Sequence, residues 1–166
     1  GNHYCERRLL PFNLGLMWGA CMFLGQHAYT LDNKGRLTIP SRFREELTKE
    51  IILTRGLDRC LVIYPIDVWE ELSRKVTSLP ITDPRGRALR RVFFADAVNA
   101  ELDRQGRLLI PERLRTYAGL ELTSEVAVVG LDRFIELWSP GRWEEENNNQ
   151  IEIMEEDPAL WERLQI

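Results

Sequence analysis

Two sets of residues recur in this sequence with one internal spacing, and their types could perform chemistry. Each set runs aspartate, then glycine three residues later, then arginine: Asp32, Gly35 and Arg36, followed by Asp103, Gly106 and Arg107. A carboxylate and a guanidinium that meet across a turn form a charge-assisted pair, which suits a structural brace better than acid–base catalysis. Glycine supplies the positive φ that tight turns require. We therefore predict two turns, each held by an aspartate–glycine–arginine set.

Basic residues accompany both predicted turns. The predicted nucleic-acid-binding residues are one basic pair in each turn: Lys34 and Arg36, then Arg104 and Arg107. The planar fork of arginine binds phosphates and reads guanine O6 and N7 in the major groove, which a two-stranded ribbon can enter. This chemistry favours DNA recognition. The arginines near the start of the helices that follow are better explained as a solvated helix face: Arg42, Arg44, Arg113 and Arg115.

Residues that could carry catalysis or bind a metal are few. The three cysteines form no CxxC pair, and His27 is the only histidine after residue 21. A nucleophile elbow and a phosphate-cradling glycine loop are both absent from the sequence. We therefore predict no enzyme activity, no catalytic residue, no metal site and no cofactor, and His27 is expected to be a surface or packed residue.

The braced turns lie within an internal repeat. Residues 30–44 and 101–115 are identical at nine of fifteen positions, and after a three-residue insertion the match resumes at Gly56 and Gly130. Self-similarity of this kind indicates two copies of one structural unit. Because units of roughly fifty residues are near the lower size limit for independent stability, the two copies are expected to pack together.

The repeat divides the chain into five predicted segments. They are an N-terminal extension (1–21), a first unit (22–80), a basic linker helix (81–93), a second unit (94–146) and an acidic tail (147–166). The extension imitates a signal peptide but shares no pattern with the repeat, and we interpret it as non-native. The four arginines of the linker could contact phosphates or form the charged face of a helix.

Each unit is predicted to contain strands and helices in the order ββαββα. In the first unit, strands at 26–31 and 36–39 flank a turn with asparagine and glycine and are expected to form a hairpin. Pro40 and Pro65 each suit the first position of a helix. The fold class predicted is therefore α+β and strand-rich, with two tandem pseudo-repeats packed as one pseudo-symmetric domain.

Charge is distributed unevenly along the chain. The net charge is −4, but residues 144–166 hold eight acidic residues and one basic residue, so residues 1–143 carry +3. The acidic tail is most simply a solvated end that limits non-specific contacts with nucleic acid. The longest apolar stretch, Leu9 to Cys21, is too short to span a bilayer, so no membrane partner is expected. The cysteine usage fits a reducing cytoplasm.

The duplicated motif identifies a family resemblance. Asp32-Asn-Lys-Gly-Arg36 and Asp103-Arg-Gln-Gly-Arg107, each followed by Leu-x-Ile-Pro, resemble the repeated signature of the MraZ family of bacterial transcriptional regulators. The resemblance extends from Met22 to about Trp143. It implies AbrB-like swapped-hairpin β units that assemble into a ring-shaped homo-oligomer. It also implies binding to double-stranded DNA, at promoter direct repeats ahead of the division and cell-wall gene cluster, and association with the nucleoid.

The resemblance assigns roles to particular residues. The DNA-contacting positions of the family fall on Lys34 and Arg36, with Arg107 as the counterpart in the second copy. Leu24 stands where a basic residue is common in relatives, which removes one possible phosphate contact. The alternative hypothesis is an oligomeric protein-interaction scaffold without specific DNA binding, in which the turns are assembly contacts and the acidic tail recruits a basic partner.

Overall fold

The computed structural model describes residues 22–164, and the interpretation of residues 1–21 as an extension lies outside them. The first unit contains β1 (Phe23–Thr30), β2 (Arg36–Thr38), α1 (Ser41–Arg44), β3 (Ile51–Arg55), β4 (Leu61–Pro65) and α2 (Ile66–Thr77). Helix α3 (Pro84–Phe94) follows. The second unit contains β5 (Val98–Ala100), β6 (Arg107–Leu109), α4 (Glu112–Ala118), β7 (Glu125–Asp132), β8 (Phe134–Trp138) and α5 (Pro140–Glu156), and α6 (Ala159–Leu164) follows it. The predicted ββαββα order is confirmed in both units.

The strands form two sheets with approximate two-fold symmetry. The larger sheet has six strands in the order β1-β7-β8-β4-β3-β5, and β2 pairs with β6 in a separate two-stranded ribbon. Reading the six strands from either edge gives the same sequence of equivalent elements from the two units. The pseudo-two-fold axis therefore passes between β4 and β8 and between the two strands of the ribbon.

The first two strands of each unit pair with the other unit. Strand β1 runs antiparallel to β7, β5 runs antiparallel to β3, and β2 pairs with β6. The simple hairpin expected of β1 and β2 from their turn residues is wrong in this respect, and the exchange agrees with the swapped hairpins that the family resemblance implies. The turn between them forms, and one bridge joins Leu31 to Leu37, but beyond it the two strands enter different sheets. This exchange places Leu37 and Leu108 in the shared core, where both are fully buried.

One hydrophobic cluster joins the two units. It includes Phe23 and Phe43 from the first unit and Leu114 and Val128 from the second, all buried. The rings of Phe23 and Phe43 meet edge to face, with centroids 5.4 Å apart. Because the apolar faces of both units are buried in one core, neither unit keeps a separate core of its own on this side of the sheet.

Several elements differ in length from the prediction. Helix α1 is a single turn, so Leu47 is buried from the segment after the helix instead of from its face. Helix α5 runs to Glu156, well beyond the predicted end of the second unit at 146. The acidic tail was predicted to be solvated, and residues 147–159 are exposed, but they are largely helical.

The linker arginines mostly bond to their own chain. Asp83 caps the first turn of α3 by accepting from the Arg85 amide, and its carboxylate pairs with the Arg85 guanidinium at 3.1 Å. Arg87 donates to the Ile81 carbonyl, and Arg90 donates to the Thr77 and Leu79 carbonyls at the end of α2. These contacts favour the helix-face interpretation of the linker over phosphate contact. No helix among residues 22–164 is long and apolar enough to cross a bilayer.

Candidate nucleic-acid interface

The first turn is held by the side chain of Asp32. Its Oδ1 accepts from the backbone N–H groups of Lys34 and Arg36, at 2.9 and 2.8 Å, and its Oδ2 accepts from Arg36 Nε at 2.7 Å. The Arg36 amide lowers the pKa of Asp32 most, the Arg36 guanidinium lowers it further, and the value reaches about 2. The aspartate is therefore ionised at neutral pH and orients the guanidinium of Arg36.

The second turn repeats this geometry. Asp103 Oδ1 accepts from the amides of Gln105 and Arg107, both at 2.9 Å, and Oδ2 accepts from Arg107 Nε at 2.8 Å. The pKa of Asp103 is also lowered, chiefly by the Arg107 amide. Gly35 and Gly106 occupy the left-handed region, with φ of 82° and 74°. Both turns need glycine at this place because other L-residues are strained there.

Each turn is attached to the opposite unit. The Gly35 carbonyl accepts from the Ile110 amide at 2.8 Å, and the Gly106 carbonyl accepts from the Ile39 amide at 3.0 Å. These two bonds continue the β2–β6 pairing at its ends. Since the pairing is antiparallel, with Arg36 opposite Leu109 and Thr38 opposite Arg107, the two turns lie at opposite ends of one short ribbon.

The outer face of this ribbon is the candidate interface. Its strand residues alternate, so Leu37 and Leu108 point into the core and are fully buried. The other residues of the two strands lie on the opposite face and are half-buried or exposed: Arg36, Thr38, Arg107 and Leu109. We call these four residues the ribbon face. Lys34 and Arg104, both exposed, stand in the turns at its ends.

The two basic pairs are only partly equivalent, because Arg36 matches Arg107 but Lys34 and Arg104 stand at different positions of their turns. Lys34 and Gln105 make the same amide bond to the bracing aspartate, so they are the equivalent residues. Arg104 corresponds instead to Asn33, one residue earlier in the turn. The two braced arginines of the ribbon face are therefore equivalent, whereas the basic side chains of the two turns stand at different positions.

Two helical arginines support the turns, a role that sequence reasoning missed. Arg115 Nε donates to the Ile110 carbonyl at 3.0 Å and lies beside Gly35. Arg44 occupies the equivalent place against Gly106, and its Nε is buried without a hydrogen-bond partner among the described residues. Each of these arginines contacts the turn of the other unit. The solvated-face interpretation holds better for Arg42 and Arg113, which are exposed, and of these Arg113 also pairs with the Asp96 carboxylate at 3.0 Å.

His27 and Cys60 lie outside the ribbon face, and each is in contact with residues of the fold. His27 packs edge to face on Phe43, and burial lowers its pKa, with a further contribution from Arg42. Cys60 is buried, donates to the Leu57 carbonyl, and has a raised pKa because of that burial. Within residues 22–164 the structure contains no cluster of three or more His, Cys, Asp or Glu side chains arranged to hold a metal ion.

The fold and this interface define a class of protein: two tandem copies of one β unit that exchange strands and present two aspartate-braced arginines on a shared ribbon. The family model described as "MraZ protein, putative antitoxin-like" matches residues 22–92 and 93–163. The chain belongs to the MraZ family. The two matches together cover both units, the linker and most of the tail.

This chain matches named relatives over nearly the whole length of each relative. The chain is 50% identical over 144 residues to "Transcriptional regulator MraZ" of Thermomicrobium roseum, covering 86% of this chain and 97% of the relative. It is 49% identical over 138 residues to the protein of the same name from Moorella thermoacetica, covering 81% and 95%. The one from Halothermothrix orenii is 46% identical over 145 residues, covering 87% and 100%.

Proposed function

We propose that this protein is a transcriptional regulator that binds specific DNA sequences through the ribbon face. Membership of the MraZ family and the names of its relatives support a role in transcriptional regulation. The observation that carries the DNA-binding proposal is the pair of braced arginines, Arg36 and Arg107, held at the two ends of one exposed ribbon.

The brace leaves each arginine able to read a base. Arg36 gives its Nε–H to Asp32, and the described residues supply no other hydrogen-bond partner to its guanidinium. The terminal N–H groups can then donate to guanine O6 and N7, the most common specific contact in the major groove. Holding the side chain in place before binding reduces the entropy lost on association. Lys34 and Arg104 would add phosphate contacts from the turns.

Assembly into a ring-shaped homo-oligomer would compensate for the small size of each interface. One ribbon face carries few contacts, and the chain as a whole is acidic, with a net charge of −4. Several copies on one DNA stretch convert later contacts into intramolecular ones, so avidity supplies affinity. The target proposed is a set of direct repeats in the promoter ahead of the division and cell-wall gene cluster, and the protein would associate with the nucleoid.

The proposal predicts sequence-specific binding that depends on salt. Fluorescence anisotropy would compare duplexes carrying the direct repeats with scrambled duplexes across a salt series. We expect tighter binding to the repeats and a steep fall of affinity with salt, because each neutralised phosphate releases counterions. Equal, weak binding to both duplexes by a well-folded oligomer would instead favour the scaffold hypothesis.

Arg36→Ala tests the interface itself. We expect affinity for the repeat duplex to fall at least about five-fold, since an arginine–guanine pair contributes about 1–3 kcal/mol of discrimination. Arg74→Ala is the matched control, because Arg74 is an exposed arginine on α2, which packs on α3, β3 and β4. Gel filtration would show an unchanged oligomer for both variants. A change of oligomer size in Arg36→Ala, with DNA affinity retained, would contradict the proposal.

A further inference from the structure

One residue of the ribbon face is apolar and exposed to solvent. Leu109 is 58% exposed, although the strand neighbour on its inner side, Leu108, is fully buried. A single exposed leucine on a protein surface is ordinary. Leu109, however, lies on the same outer face as Arg36 and Arg107, between the two basic turns. Its position therefore makes it part of whatever surface the arginines contact.

The strand register places Leu109 beside a braced guanidinium. Arg36 and Leu109 are directly opposite in the antiparallel pair, and such neighbours have Cβ atoms about 4.5–5.5 Å apart. Asp32 fixes the direction of Arg36 through the 2.7 Å bond to its Nε. The arginine and the leucine consequently present a polar and an apolar group side by side to the same partner.

We propose that Leu109 reads a thymine by contacting its 5-methyl group in the major groove. The inference rests on the proposed DNA-binding function. The surrounding charge selects a polyanion as the partner, because both turn aspartates are already paired while Lys34 and Arg104 are exposed. On double-stranded DNA, the base-edge group that offers apolar contact in the major groove is the thymine methyl, and the minor groove has none.

The strand register also predicts where that thymine lies relative to the guanine that Arg36 reads. Successive base pairs are about 3.4 Å apart along the duplex, so the cross-strand spacing of about 4.5–5.5 Å between Arg36 and Leu109 corresponds to between one and two base steps. The thymine is therefore expected within two base steps of the guanine that Arg36 reads. At the equivalent place in the other strand stands Thr38, opposite Arg107. A threonine can contact several bases, so this half of the ribbon face discriminates less.

Replacing thymine by deoxyuridine tests the contact, because the substitution removes only the 5-methyl group. In the promoter direct-repeat duplex, each thymine would be replaced in turn and the affinity of the full-length protein measured by anisotropy. We expect one position per repeat to lose about three- to five-fold in affinity, as for the loss of one buried methyl group. Leu109→Ser, which leaves no methyl group at this position, should bind the unmodified duplex more weakly and respond to deoxyuridine at that position hardly at all.

The control variant is Leu57→Ser, which changes an exposed leucine between β3 and β4 and should keep the full deoxyuridine effect. Equal deoxyuridine effects in Leu109→Ser and the unchanged protein, or none at any position, would overturn the inference. Either result would leave the proposed DNA-binding function standing if binding still required Arg36. Failure of the unchanged protein to distinguish repeat from scrambled duplexes would overturn both.

Discussion

Asp32 holds the first turn through hydrogen bonds that only its ionised form can make in full. Its two oxygens accept from the amides of Lys34 and Arg36 and from Arg36 Nε. The pKa of Asp32 is lowered to about 2, with the Arg36 amide as the largest cause. Since the folded pKa is below the ordinary value of 3.8, the brace stabilises the fold fully above pH 3.8. That stabilisation is lost as the pH falls through the folded pKa.

NMR titration of the Asp32 carboxyl carbon checks this brace. We expect a midpoint near pH 2 in the unchanged protein. In Arg36→Ala the midpoint should rise only part of the way towards 3.8, because alanine keeps the backbone donor and loses the guanidinium. A midpoint of 3.8 in the unchanged protein would show that the turn is not braced in solution. Complete recovery of 3.8 in Arg36→Ala would assign the shift to the guanidinium alone.

At the scale of single residues, the spacing of residue types in the sequence predicts contacts between residues that are close together in the chain. The pairs of Asp32 with Arg36 and Asp103 with Arg107 lie within one turn each, so four-residue spacing suffices to anticipate them. The support that Arg115 gives to Gly35 joins residues 80 positions apart in different units. Nothing in the sequence near either residue indicates that contact, since it depends on which strands pair.

Gly130 allows the exchanged strand β1 to lie against β7. It is opposite Gly25 in the pairing of the two strands, and a Cβ atom there would meet the Phe23 carbonyl carbon at 2.6 Å and the Leu24 amide nitrogen at 2.7 Å. Both are backbone atoms, which cannot turn away as a side chain would. We therefore predict that Gly130→Ala destabilises the protein by about 1–3 kcal/mol or more through overpacking.

Urea unfolding with amide hydrogen exchange measures this effect. The amides of β1, residues 23–30, should lose protection more than those of β3 and β4, because the strand exchange is the contact disturbed. Gly141→Ala is the control, since a Cβ at Gly141 meets nothing within 4 Å and alanine is the better helix former. Unchanged stability and protection in Gly130→Ala would contradict the close approach of β1.

At the scale of elements, the internal repeat predicts the order of the strands and helices but not which strands pair. Two copies of ββαββα follow from the alignment and the turn residues, and the structure has them. The β1–β2 hairpin was wrong because strand pairing is decided by burial across both units, which places Leu37 and Leu108 in one core. Helix ends also moved: α5 continues ten residues past the predicted end, through a polar sequence that forms helix without burying a residue.

The charge of the whole molecule is separated into a mildly basic body and an acidic C-terminal arm. Residues 144–166 carry a net charge of −7, whereas residues 1–143 carry +3. Helix α5 has no buried residue, so its acidic side chains can be changed without opening the core. An acidic arm on every copy of an oligomer would repel DNA at long range and oppose the attraction of the turns.

Neutralising the arm should therefore strengthen non-specific binding more than specific binding. The variant replaces four exposed acids, as Glu152→Gln, Glu155→Gln, Glu156→Gln and Asp157→Asn, in the full-length protein. We expect several-fold tighter binding to scrambled duplexes at low salt and a smaller ratio of repeat to scrambled affinity. The difference should vanish near 0.5 M salt, because the screening length is already about 10 Å at 0.1 M.

A charge-conserving variant separates electrostatics from helix structure. It exchanges the same residues as Glu152→Asp, Glu155→Asp, Glu156→Asp and Asp157→Glu, and should bind both duplexes as the unchanged protein does. If the neutralised variant bound scrambled duplexes no better at low salt, the arm would have no influence on DNA and its acidity would need another partner. Because the proposed specific binding would rest on short-range contacts of the ribbon face, it should respond less than long-range attraction does in every variant of the arm.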